Sequence, residues 1–198
     1  MTDIFGGLAG GPGDPEATNG NGSGPVQVPA PGRASLAALE HAFDGAALWG
    51  LELDSKFRVL AATLEPTPER YAWADDGGAV EDRRVQLLCF PVSTILGSLR
   101  RESDKGRELL EFSEEQLVDV VSAFDGARVS SPLFGQPEPR PGQWAPRFSV
   151  QGRSSAPDGT RRTITLSLRH EDLALDLFAR FDDLELKGPD GADLAMPA

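Results

Sequence analysis

Apolar positions recur along this chain at two different periods, and the change of period marks its elements. In "RASLAALEHAFDGA" the residues Leu36, Leu39 and Phe43 share one helical face, with Ser35 as a cap and Gly45 as a stop. "FSEEQLVDVVSAFDGA" is marked more strongly as a helix. Ser113 and Gln116 have capping-box spacing, Phe112 and Leu117 have staple spacing, and Leu117, Val121 and Phe124 form the buried stripe before Gly126. Elsewhere the period is two. "ALWGLEL" and "FRVLAATLE" around "DSK" read as a hairpin, and "RVQLLCF" and "VSTILGSLR" read as two strands broken at Pro91. "ARVSSPLF", "APRFSVQG", "RRTITLSLRH" and "LALDLFARF" complete the strands, and in the last Leu173, Leu175, Leu177, Ala179 and Phe181 share a face.

This pattern predicts an α+β fold, predominantly antiparallel sheet with two packed helices. The order also recurs. A helix ending in "AFDGA" precedes strands and a proline-rich loop in each half, and "RR" then opens an apolar strand. Phe43 and Phe124 are 81 positions apart (124 − 43), Arg84 and Arg162 78 apart (162 − 84). A degenerate α-β-β-β-β repeat is therefore expected, with halves at 33–104 and 113–187 inside one domain over 33–191. Residues 1–32 are crowded with glycine and proline and predict a disordered arm, and 192–198 a disordered tail.

Charge narrows the function. The formal net charge is −12, and eight carboxylates lie between Glu171 and Ala198 against Arg180 and Lys187. Binding to nucleic acid through its phosphates is disfavoured. The start has neither a basic region nor an apolar run, and no stretch approaches a membrane span, so a cytoplasmic protein is expected. One cysteine excludes a disulfide framework.

The candidate chemistries are thin. Cys89 lies between Leu88 and Phe90 in an apolar strand and reads as a core residue rather than a nucleophile. His41 and His170 lack ligand spacing, no phosphate-binding loop is present, and no cofactor or metal is expected. Arg84, Arg100, Arg162 and Arg169 lie near strand ends, and Arg147 and Arg153 alternate on another strand. They predict either cross-strand pairing with acids or an anion site.

What remains is surface. Tyr71, Trp73 and Trp144 sit in proline-rich loops, Ile4, Phe5 and Leu8 form an apolar cluster ahead of the arm, and Asp182, Asp183 and Glu185 are acidic. These nine residues are the candidate contacts of a non-catalytic interaction or adaptor protein whose partner is another protein. Two alternatives stand beside it. One is an immunity- or antitoxin-type inhibitor that covers a basic enzyme with its acidic surface. The other is a β-rich ligand pocket using buried arginine and His170.

Overall fold

The capping box at Ser113 forms as its spacing predicts: the Ser113 N–H donates to Gln116 Oε1 at 2.9 Å. It starts a 3-10 turn over Glu114–Gln116 that continues into the short helix α2, Leu117–Ser122. The first helix, α1, runs Arg33–Phe43 and starts two residues before the expected cap. The computed structural model describes residues 33–71, 82–104, 106–140, 144, 148–152 and 161–197. The arm over 1–32 lies outside them, as do Ile4, Phe5, Leu8, Trp73, Arg147 and Arg153.

The strands are β1 (Ala47–Asp54), β2 (Val59–Glu65), β3 (Val85–Ser103), β4 (Gly106–Leu110), β5 (Phe148–Gln151), β6 (Arg162–His170) and β7 (Leu173–Lys187). All the pairings between them are antiparallel, in the order β1-β2-β3-β7-β6, with β4 and β5 also on β3. The fold is α+β, as the pattern implied.

Pro91 does not break β3. On one edge Leu60 pairs Cys89, Val92 N–H donates to Arg58 O at 2.7 Å, and β5 takes over at Thr94. On the other edge a register shift between Val92 and Thr94 accommodates Pro91. The strand β4 went unread in the sequence, although Gly106 at its start is a turn signal. Gly106 there has φ 124°, which favours glycine.

"ARVSSPLF" forms no full strand. It makes isolated bridges, Ala47↔Arg128 and Phe134↔Ile164, because it serves two edges in turn. Its start pairs with β1: Leu48 N–H donates to Ala127 O and Val129 N–H to Ala46 O, each at 2.9 Å. Its end pairs with β6: Ser130 N–H donates to Ser167 O at 3.1 Å and Thr165 N–H to Leu133 O at 2.6 Å. The segment thus joins the two outer strands of the path, and the sheet wraps on itself. The two bonds to β1 exchange under the 81-residue offset of Phe43 and Phe124 (46 + 81 = 127, 48 + 81 = 129). The strict four-strand pattern is not kept: the first half has one continuous strand, β3, where the second has β6 and β7, and "ARVSSPLF" forms only bridges.

The expected disordered tail is instead seated on the sheet. Leu194 N–H donates to Leu186 O at 3.0 Å, and Leu194 and Met196 pack against the core. Strands β1, β2, β3, β6 and β7 contribute to that core, with Leu39 and Phe43 of α1, Leu117 and Val121 of α2, and Phe124, and Leu110 of β4 packs against it. Alternation along β2, the first part of β3 and the end of β7 turns one side chain in two inward, and the other set builds the outer face described next, whereas residues 92–99 of β3 are buried on both faces.

Candidate protein-contact face

On the outer face the strand register lines up side chains from four strands. One row reads Glu52, Ala61, Leu88 and Glu185, and the next along β2 and β3 reads Thr63, Gln86 and Lys187. In the opposite direction Asp54 pairs Val59, and Phe90 pairs Asp183. Val59, Ala61, Leu88 and Phe90 therefore form an apolar block two strands wide, each half-buried, with acids on both flanks.

Above this block is a concavity of about 610 Å³, bounded by Glu52, Asp54, Lys56, Phe57, Val59, Ala61 and Leu88, among others. Gln86 is shared with a second cleft of about 290 Å³ that reaches Asp82, Arg84 and Pro189. Two of the three large apolar side chains exposed among the described residues belong to this side. Phe57 in the β1–β2 turn is 66% exposed, and Trp49 on β1 is 48% exposed.

Local chemistry holds both aromatics in place. Asp54 Oδ1 accepts the Phe57 N–H at 2.9 Å, closing the turn, and Lys56 Nζ lies 5.2 Å from the Phe57 ring centroid. Arg58 has φ 56° in the same turn. Trp49 sits at a register shift between Leu48 and Gly50 and donates Nε1–H to Glu65 Oε2 at 2.7 Å.

The candidate contacts named from the sequence are dispersed. Asp183 and Glu185 are exposed on β7 and border the apolar block, while the neighbouring Asp182 is half-buried. Asp183 accepts from Arg162 Nη1 at 3.1 Å, and Glu185 lies 3.6 Å from Lys187. Tyr71 is buried in the core and offers no exposed ring, and Trp144 is half-buried. Sequence reasoning missed Trp49, Phe57, Ala61 and Leu88. The outward phase of β1–β3 was legible, but the row that brings Leu88 beside Ala61 needs the register.

The other candidate chemistry resolves into structure. Cys89 is 1% exposed, and burial pushes its thiol far above the ordinary range despite the nearby charge of Arg162. A thiol reagent such as a disulfide dye should therefore leave the native protein unmodified and titrate one thiol after denaturation. Rapid native reaction would contradict this burial.

The arginines pair with acids: Arg84 with Asp82, Arg100 with Asp176, Arg162 with Asp183 and Arg169 with Glu102. Three of these pairs join different strands and Arg84–Asp82 is local, and none of the four is left as the free cation an anion site requires. Hydrogen bonds from Arg84 hold the Asp82 carboxyl at about 2, and one from Arg169 lowers that of Glu102. A lowered folded-state value stabilises the fold above the ordinary carboxylate range, near pH 4. That stabilisation is lost as pH falls, for Asp82 through about 2. The urea midpoint should drop between about pH 5 and 2, and drop less in Glu102→Gln; an equal drop in that variant would remove Glu102 from this account. Both pairs are exposed, so the effect is small.

His170 is exposed at the β6–β7 turn, and the core void bounded by Leu51, Leu60, Ile95, Leu117 and Leu177 is about 10 Å³. That void is far below the roughly 300–1,000 Å³ of a ligand pocket. Among the described residues no helix is long and apolar enough to cross a membrane, and no three or more His, Cys, Asp and Glu side chains cluster to hold a metal. The chain matches no protein-family model, no curated protein and no solved structure.

Proposed function

We propose that this is a non-catalytic interaction protein that works by contact with another protein, through the outer face of β1, β2, β3 and β7. One observation carries the reading. Val59, Ala61 and Leu88 line a concavity of about 610 Å³ that opens to solvent beside the exposed ring of Phe57. The solvent face of an antiparallel sheet is ordinarily polar, and an apolar block with a polar rim is the anatomy of a contact surface. Exposed aromatics held by local hydrogen bonds lose little entropy on docking, which suits Trp49 and Phe57 to anchor a partner. Ile4, Phe5 and Leu8, on a glycine-rich tether, serve in this reading as a second contact of long reach.

Substitution at the block tests the reading. Ala61→Arg and Leu88→Arg add charge at outward positions and should change stability by no more than about 1 kcal/mol. Partners captured from native lysate by the unaltered chain should be lost by both variants at an unchanged urea midpoint. Equal capture by both variants would refute the face as the contact.

A further inference from the structure

We infer that the segment filling this groove is a short extended stretch of a partner protein in which apolar residues alternate with lysine or arginine. The inference rests on the proposed contact face and names its occupant. The geometry supplies two complementary features. The floor is apolar on two adjacent strands, Val59 and Ala61 beside Leu88 and Phe90. The flanks are acidic on both sides, Glu52 and Asp54 on β1 and Asp183 and Glu185 on β7.

The local cations compensate only part of this acidity. Lys56 lies over the Phe57 ring, Lys187 is bonded to Asp193 and lies 3.6 Å from Glu185, and Arg162 pairs with Asp183. Glu52 has no ion-pair partner among the described residues, although it borders the groove. A guest that turns its apolar side chains onto the floor points the alternating cations away from it, and only the long stems of lysine or arginine bend round to the flanking carboxylates.

The same charges exclude other occupants. The chain's own arm carries Asp3, Asp14 and Glu16 and no lysine or arginine before Arg33. A second copy would bring the same acidic flanks, at a net charge of −12 per chain, against themselves. Nucleic acid and anionic lipid are repelled for the same reason. From Val59 to Thr63 the floor runs roughly 14 Å, four steps of ~3.4 Å, which about five residues of extended chain cover.

The test uses the full chain and a fluorescein-labelled heptapeptide alternating lysine and valine. Two control heptapeptides replace its lysines with glutamate or its valines with serine. Fluorescence anisotropy should show the lysine–valine peptide binding at least tenfold more tightly than either control, and weakening as salt rises from about 0.05 to 0.5 M. Glu52→Lys with Glu185→Lys should weaken it at least tenfold. Equal binding by the lysine–serine peptide would mean that net charge alone attracts it and would overturn the inference, as would undiminished binding by the double variant. If the peptide fails while Ala61→Arg still abolishes partner capture, the occupant's chemistry is wrong and the contact face stands.

Discussion

Phe124→Ala is expected to lower unfolding stability by about 3–5 kcal/mol, read as a shift of the urea midpoint at constant slope. Phe124 is fully buried, and it sits where α2 ends and the chain turns into the ladder that meets β1. Its N–H donates to Val121 O at 2.8 Å, and its carbonyl accepts from Ala127 N–H at 2.8 Å. Truncation therefore loses the transfer energy of a phenyl ring and leaves a cavity at the seam where the sheet closes. The neighbours cannot collapse freely, because Gly126, Ala127 and Val129 are held by backbone hydrogen bonds to Leu48 and Ala46. A loss under about 1 kcal/mol would mean that the seam does not depend on this side chain.

Arg100→Ala is the second large effect. The Arg100 and Asp176 side chains are 11% and 15% exposed and bonded to each other, on the face of β3 and β7 turned away from the main core. Removing the guanidinium strands the Asp176 carboxylate among Ser98, its direct cross-strand partner, and the fully buried Phe178. Breaking a wholly buried pair costs about 3–5 kcal/mol, and the remaining solvent contact lowers this to about 2–4. Replacing both members, Arg100→Leu with Asp176→Leu, should recover most of the loss, since two apolar side chains leave no unpaired charge. A double variant no more stable than the single one would show that packing by the arginine stem, rather than the charge, is what the site uses.

Local chemistry was legible in the chain, and long-range pairing was not. The box at Ser113 and Gln116, the Asp54 turn and the period of β7 depend on residues close in sequence, and they form as read. Pro91 misled because a proline ends a strand only where its N–H is needed; here the register with β7 shifts beside it, between Val92 and Thr94. "ARVSSPLF" was read as one strand because its apolar residues suit a strand, but its hydrogen bonds are split between β1 and β6. The tail after Lys187 read as disordered on composition, while Leu194 and Met196 find apolar surface at the sheet edge. The contact face was half visible. Asp183 and Glu185 were named, but Ala61 and Leu88 meet only through the register of β2 and β3.

The central claim is that this face is where the protein does its work, and site-directed photocrosslinking tests it most directly. A photoreactive residue at position 61, on the floor of the groove, is to be compared in native lysate with one at Val118, an exposed apolar position on α2. The account predicts a discrete adduct to another protein from position 61 and none from position 118. Discrete adducts from 118 with none from 61 would contradict it.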